Sequence, residues 1–294
     1  MTSIVDAHHH IWRREDLPWL KGPMQPRIFG AYDAIRRDYL IDEFLDDVRD
    51  FGIEKSVYVQ ANWAVDQFQD EVAWVQSVAD SAGWPHGIVG YVDLLQDDAR
   101  PDLQKLRQYP LMRGIRQQIH WHDNEQYRFA SSPELVSDPA LKRNIEKLTD
   151  FGWSFDLQVF APQMNAASAL ASACPDVTFV LQHAGMLEDT TEAGCALWED
   201  GMKQLAEQPN VVCKLSGLGT FIHRNDPDHL EDITHKAVTW FGADRCLFGS
   251  NFPIEKLRTG YGPLIEAYRQ AVAALGEAAE RAIFQDTATR VYRL

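Results

Sequence analysis

The stretch SFDLQVFAPQMNAASALASACPDVTFVLQH, residues 154–183, shows how this chain is built. It begins with a short apolar run at 154–160 and continues through a helical pattern at 163–173, which Pro162 opens. A second apolar run follows at 177–183. A strand, a helix and a second strand in this order predict a βαβ unit, in which the two strands are parallel.

The same rhythm extends along all 294 residues. Eight strand–helix units in one chain predict an α/β fold with a closed parallel sheet, the (β/α)8 or TIM barrel, as a single domain over residues 1–294. An open doubly wound sheet is the competing architecture, but no Gly-x-Gly-x-x-Gly follows the first strand. The other predicted strands are 3–10, 55–61, 87–93, 112–120, 210–216 and 245–251, and the other helical patterns include 41–51, 68–82, 137–150 and 229–241.

The charge of the chain limits the kinds of partner that we expect it to bind. The chain has 28 Lys and Arg against 43 Asp and Glu, a formal net charge of −15, and no basic cluster. Contacts with nucleic acid or with an anionic membrane need Lys and Arg, so we expect neither as a partner. We therefore expect a small-molecule substrate. The sequence leaves open whether the protein forms a homo-oligomer.

Sequence features also bear on location. No apolar run approaches the roughly 18 residues of a membrane span. Polar residues follow Met1 almost at once, so no signal peptide is visible. The four cysteines, Cys174, Cys195, Cys213 and Cys246, lack Cys-x-x-Cys spacing, which favours reduced and mostly buried thiols. These features predict a cytoplasmic protein.

Polar side chains end nearly every predicted strand. On the first strand, alternation predicts that Asp6, His8 and His10 share one face while Ala7 and His9 take the other. Any one polar residue can be explained as a satisfied group in the core, but their coincidence at the same end of successive strands predicts an active site there. The strand-end residues beyond the first strand are Gln60, Asn62, Asp93, Arg116, Gln118, His120, Asp156, Gln158, His183, Lys214, Ser216 and Asn251.

An ordered set of segments resembles one family. Val5-Asp6-Ala7-His8-His9-His10-Ile11-Trp12 resembles the Asp-x-His-x-His-x-Trp opening of the amidohydrolase-2 group of the amidohydrolase superfamily. The branch that the chain most resembles contains sugar-lactone and dicarboxylate-lactone hydrolases, which are often metal-independent. The further matching segments, which extend the resemblance over nearly the whole chain, are Met112–Arg116, Leu181–Gly185, Val212–Gly217, Phe248–Pro253 and Thr287–Leu294.

The resemblance implies a hydrolase that opens a lactone of a sugar acid or of a related cyclic carboxylate. The loops 13–40 and 121–136 are expected to shield the pocket from water. Two alternatives stay open: a metal-dependent amidohydrolase or decarboxylase, and a barrel that binds a sugar acid without turning it over. The expected catalytic residues are His8, His10, His183, Asn251 and Glu255, and the expected substrate-binding residues are Trp12, Gln60, Arg116, His120 and Lys214.

Asn251 departs from the family pattern, which usually has an Asp there as metal ligand or general base. An amide cannot take a proton from water, so the usual base is absent. Glu255, in the same loop, is one candidate replacement and Asp93 is another. A solvated loop carboxylate is the competing interpretation of Glu255.

The histidines also raise the question of a metal. Three inward imidazoles, His8, His10 and His183, could hold one Zn²⁺ with an open position for water. Against this, the fifth strand offers Asp156 and Gln158 where metal-bearing relatives have a His. We therefore expect no cofactor, with one divalent metal such as Zn²⁺ at the three histidines as the alternative.

Overall fold

A computed structural model describes residues 3–294; Met1 and Thr2 of the predicted domain lie outside the described residues. All eight predicted strands are present, and they form one sheet in chain order with parallel pairing. The strands are Ile4–His9 (β1), Ile53–Val59 (β2), Gly87–Gly90 (β3), Met112–Ile115 (β4), Ser154–Leu157 (β5), Phe179–Leu181 (β6), Val211–Leu215 (β7) and Cys246–Phe248 (β8).

The sheet closes on itself. The backbone N–H of His10 donates to the carbonyl of Phe252 at 2.8 Å, and the N–H of Asn251 donates to the carbonyl of His8 at 2.7 Å. These bonds join the first strand to the chain just beyond β8, so the predicted (β/α)8 barrel is confirmed.

Helices alternate with the strands as the sequence predicts. Asp138 caps one of them by accepting a hydrogen bond from the N–H of Ala140, directly before Pro139 at its first position. Gly52 and Gly152 have left-handed backbones, with φ of 75° and 65°. The α-helices are Pro18–Lys21 (α1), Ile41–Val48 (α2), Phe68–Ala82 (α3), Arg100–Leu106 (α4), Pro139–Glu146 (α5), Met164–Ala173 (α6), Glu192–Ala206 (α7), Pro227–Phe241 (α8), Tyr261–Ala273 (α9), Glu277–Arg281 (α10) and Thr287–Tyr292 (α11).

The first strand contains a bulge that changes which side chains face inward. Asp6 and His9 are three residues apart, but their partners on β2 are only two apart. Asp6 accepts a hydrogen bond from the hydroxyl of Tyr261 on α9 at 3.0 Å, and His9 stacks on Phe44 of α2. Both residues therefore face the helix layer. The prediction that Asp6 shares a face with His8 is wrong, because strict alternation fails at a bulge.

The amino-terminal end of the barrel is filled. Small and branched side chains from β1, β2, β3, β6, β7 and β8 pack with α11 in one apolar cluster. Arg293, just after α11, donates to the carbonyl of Gly152 ahead of β5, which places the chain terminus over the starts of the strands. In barrels of this type the ligand site lies at the opposite, carboxyl end.

Two further expectations concern cysteines and membranes. All four cysteines are free thiols; Cys174, Cys213 and Cys246 are buried and Cys195 is half-buried, as predicted. Among residues 3–294, no helix combines the length and apolar character that crossing a bilayer requires.

Candidate active site

A cavity of about 820 Å³, counted with its open mouth, lies where the strands end. Seven of the twelve predicted strand-end residues beyond β1 line this cavity, and Gln60, Asp93, Asp156, Lys214 and Ser216 do not. The polar side chains on its wall are His10, Asn62, Arg116, Gln118, His120, Gln126, Gln158, His183, Thr220 and Asn251, together with Arg27.

The two predicted loops both contribute to the wall. The loop 13–40 supplies Trp19, Arg27 and Phe29, and the loop 121–136 supplies Tyr127 and Phe129. Aromatic side chains therefore enclose the mouth on two sides. The sequence predicts that these two loops cover the pocket, but it does not single out these residues, because loop side chains follow no periodicity.

His10 and His183 present the same ring nitrogen to the cavity. Nδ1 of His10 lies 2.7 Å from the carbonyl oxygen of Val59, and Nδ1 of His183 lies 3.1 Å from the carbonyl oxygen of Ser216. A carbonyl only accepts, so Nδ1 carries the hydrogen in His10 and Nε2 is left with a lone pair. In His183 the Ser216 hydroxyl also lies 2.9 Å from Nδ1, and the carbonyl contact favours the same tautomer. Gly217, with φ of 59°, is required beside His183, because a Cβ there would lie 2.7 Å from Nδ1.

Both rings are neutral at neutral pH. Burial lowers the pKa of His183 to about 3 and lowers that of His10 well below its usual value, and the charge of Arg116 adds to both effects. A neutral imidazole with a free lone pair accepts hydrogen bonds. The pair is therefore suited to hold a water molecule or a substrate hydroxyl.

His8 lies beneath these two rings rather than on the cavity wall. Its ring centroid is 5.1 Å from that of His10 and 4.9 Å from that of His183, and the side chain is fully buried. Neither of its ring nitrogens has a hydrogen-bond partner among the described residues. His8 thus contacts both imidazoles from below the wall, and its catalytic role stays a prediction.

Arg116 is the buried cation of the wall. Its Nη2 donates to the carbonyl of Gln60 at 2.5 Å, while its Nε has no partner among residues 3–294. Burial lowers the pKa of Arg116 to about 10, so the guanidinium stays charged at neutral pH. The Gln60 side chain, in contrast, accepts from the N–H of Asn62 and lies outside this cavity. The structure thus does not support direct substrate binding by the Gln60 side chain.

Lys214 also differs from its expected role. It is 0% exposed, and its ammonium pairs with Asp156 at 2.9 Å. The same carboxylate accepts from the Gln182 amide and the Tyr292 hydroxyl. Lys214 is therefore committed to a buried network below the cavity and does not reach a substrate, which strand alternation alone could not show. Removing either partner would strand a buried charge, which is strongly destabilising.

Trp12 and His120 lie on the cavity wall, as the sequence predicts. The Trp12 indole donates to the carbonyl of Arg37 at 2.8 Å, which fixes the ring. His120 lies between Phe129 and Phe160, with ring centroids 5.3 Å and 5.6 Å away. Burial lowers the pKa of His120 to about 3.

Asn251, Thr220 and Glu255 form a buried chain that ends at the cavity. The Thr220 hydroxyl donates to Oε1 of Glu255 at 2.6 Å and accepts from the Asn251 amide at 3.4 Å. Glu255 is only 1% exposed, and its Oε2 has no partner within the described chain. Burial raises the pKa of Glu255 to about 7, although its bonds to Thr220 and Asn251 oppose the rise.

Glu255 is thus no solvated loop carboxylate. It stands directly behind Thr220, a wall residue that sequence reasoning missed because a single Thr after β7 carries no pattern signal. Asp93 is not a comparable candidate: it accepts from the Gln117 amide and the N–H of Leu95 and is absent from the wall.

The donor set fits a metal poorly. Within residues 3–294, no group of three or more His, Cys, Asp or Glu side chains is arranged to hold an ion. Asn251 supplies a neutral amide where a carboxylate would offset the charge of Zn²⁺. Arg116 is a cation close enough to lower the pKa of all three wall histidines, and it would repel a second cation.

A barrel with a histidine-lined cavity at its carboxyl end defines the structural class, and comparison identifies the family. The family model described as Amidohydrolase matches residues 5–294. The chain belongs to this amidohydrolase family.

Relatives match over nearly their full length. The uncharacterized protein y4mH of Sinorhizobium fredii is 35% identical, covering 99% of this chain and 99% of the relative. The L-fucono-1,5-lactonase of Burkholderia ambifaria is 28% identical, covering 99% of this chain and 93% of that enzyme. Crystal structures of a Burkholderia multivorans amidohydrolase, one with HEPES and one with zinc, share 26% identity and TM-scores of 0.83 and 0.82, covering 99% of both chains.

Proposed function

We propose that this protein is a hydrolase that opens the ring ester of a lactone in the cavity. The observation that carries the proposal is the meeting of an unpaired guanidinium donor, two neutral imidazoles and the Thr220–Glu255 pair on one small cavity. The similarity to an L-fucono-1,5-lactonase supports this reaction class. The decarboxylase and the binding-only barrel have no comparable support.

Arg116 is suited to polarise the lactone carbonyl. Arg116 is a charged group of the cavity wall, so a carbonyl oxygen placed against its guanidinium gains a charge-assisted hydrogen bond. That bond strengthens as the oxygen becomes an oxyanion in the transition state. The carbonyl of Gln60 holds the guanidinium in place meanwhile.

The attacking water donates one of its two hydrogens to an imidazole lone pair of the His10–His183 pair, which leaves the second hydrogen for a base. The water then needs a group that removes its proton, and the pKa values of these imidazoles are too low for that role. The Thr220 hydroxyl donates to Glu255, accepts from Asn251, and has one acceptor position left for the water. Proton transfer through Thr220 would leave Glu255 protonated.

The bond changes then balance. The water oxygen bonds to the carbonyl carbon, the ring C–O bond breaks, and the proton held by Glu255 returns to the departing ring oxygen. The product is an open-chain hydroxy carboxylate, and one proton is released when its new acid group ionises.

A lactone panel tests the proposal. Proton release on adding five- and six-membered lactones of sugar acids and of cyclic carboxylates is expected for at least one compound, and chromatography should show the hydroxy acid. Tight binding of a lactone without turnover across the panel would instead support the binding-only barrel. Release of CO₂ from an aromatic acid would support the decarboxylase.

We propose further that turnover needs no metal, although a related structure contains zinc. After dialysis against a strong chelator, we expect activity to be unchanged and metal content to be well below one ion per chain. The physical reason is that the cavity wall has the neutral Asn251 in place of a carboxylate and also contains the cationic Arg116. Activity that is lost on dialysis and restored by Zn²⁺ or Mn²⁺ would contradict this prediction.

A further inference from the structure

The charge of the cavity is opposite to that of the protein. The chain has a formal net charge of −15, yet no Asp or Glu belongs to the cavity wall within residues 3–294. Two arginines, Arg27 and Arg116, do belong to it. Because burial keeps the wall imidazoles neutral, the positive charge of the cavity comes from these two guanidinium groups. A cationic cavity in an acidic protein selects for an anion.

Arg27 has no partner that neutralises it. Its side chain forms no ion pair and no hydrogen bond with any described residue, and its Nε is buried. It lies in the loop 13–40, and the other guanidinium, Arg116, lies just beyond β4. The two cations therefore reach the cavity from different parts of the chain.

Two aromatic rings hold Arg27 in place. Its guanidinium carbon lies 5.9 Å from the ring centroid of Trp19 and 5.6 Å from that of Phe129, which belongs to the other loop. Cation–π contacts use the face of the guanidinium and leave the N–H groups at its edge available. Those edge donors match the two oxygens of a carboxylate.

We propose that Arg27 binds a carboxylate that the substrate carries in addition to its ring ester, so that this enzyme acts on anionic lactones rather than neutral sugar lactones. The inference rests on the proposed lactone hydrolysis. It also agrees with the product: opening a lactone monoanion gives a dianion, and the cavity offers one arginine for each carboxylate. Arg116 serves the carboxylate formed in the reaction, and Arg27 the one already present.

Matched pairs of lactones test this assignment. Each pair consists of a ring carboxylate and its neutral carboxamide, for example 5-oxotetrahydrofuran-2-carboxylate and 5-oxotetrahydrofuran-2-carboxamide. We expect the wild type to prefer the carboxylate in kcat/KM. In Arg27→Met, KM for the carboxylate should rise by about 10- to 100-fold, the loss expected for a charge-assisted hydrogen bond, while the carboxamide is unaffected. Arg27→Lys should lie between the two.

Arg13→Met is the matched control. Arg13 belongs to the same loop and also lies over two aromatic rings, those of Trp63 and Trp74 at 5.8 Å and 5.1 Å, but it is absent from the cavity wall. We expect this variant to keep the wild-type preference. A role of Arg27 in loop packing alone would instead lower activity on both members of each pair and lower the melting temperature.

The outcomes separate this inference from the proposed function. Equal turnover of carboxylate and carboxamide, or equal losses on both in Arg27→Met, would overturn the anion assignment while hydrolysis itself stands. Hydrolysis of no pair, with turnover of a neutral sugar lactone, would likewise overturn the anion assignment alone, whereas hydrolysis of no lactone at all would contradict the proposed function. Calorimetric binding of 2-hydroxyglutarate then tests Arg27 independently: weaker binding by Arg27→Met supports its role, and unchanged or absent binding overturns it.

Discussion

Replacing His183 is expected to lower kcat/KM by at least about 100-fold, as loss of a group that positions the attacking water should. His183 has a left-handed backbone, with φ of 53°, which Asn tolerates better than most residues. His183→Asn therefore removes the imidazole with less backbone strain than His183→Ala. His10→Ala should show a loss of the same size.

The control for this prediction is His235→Ala. His235 also bonds a backbone carbonyl, that of Ala271 at 2.7 Å, but it lies on α8 and outside the cavity. We expect it to leave kcat/KM within about twofold, and the melting temperature of each cavity variant should stay close to that of the wild type. A fully active His183→Asn would remove this imidazole from the mechanism.

The barrel could be predicted from sequence because its signal is repeated. Eight apolar runs alternate with amphipathic segments, and an error in one boundary does not change the topology. The sequence predicts the ends of the strands less accurately: β6 is only Phe179–Leu181, whereas the pattern predicts 177–183. The chain leaves the strand before His183, which enters the cavity from a left-handed turn that no periodicity predicts.

The errors at the site have similar physical causes. Lys214 has a cationic side chain of the kind that binds a carboxylate. It stays below the cavity because it pairs with Asp156, a residue distant in sequence. Thr220 and Arg27 were missed because their importance comes from three-dimensional neighbours: a buried carboxylate in one case and two aromatic rings in the other. Sequence patterns predict which face of a strand most side chains take, but they do not predict pairings between residues that are distant in sequence.

Replacing Glu255 is expected to have the largest effect on kcat. Glu255→Gln keeps the shape of the side chain but removes the proton acceptor, so we expect kcat to fall by about 1000-fold, within the range for loss of a general base, while substrate binding persists. Thr220→Val, which breaks the connection to the cavity, should show a large loss too, and Thr220→Ser should restore activity. Full activity in Glu255→Gln would contradict the assignment of Glu255 as the proton acceptor.

The pH dependence gives an independent readout of the same carboxyl group. Only ionised Glu255 can accept a proton, and burial raises its pKa to about 7, so wild-type kcat/KM should fall as the pH drops through about 7. The residual activity of Glu255→Gln should lack this acidic limb. The wall histidines cannot produce it, because burial lowers the pKa of His183 to about 3 and lowers that of His10 as well.

Asn251→Asp restores the residue usual in the family. It tests the Asn251–Thr220–Glu255 chain by adding a negative charge to it. The Asn251 amide donates to Thr220 and supports the ionised form of Glu255. An Asp there places a second negative charge against Glu255, which should move the acidic limb of kcat/KM to higher pH by about one unit or more. An unmoved limb would show that a group other than Glu255 titrates. A gain of stoichiometric zinc by this variant would show that the neutral amide at 251 is what disfavours a metal in the native chain.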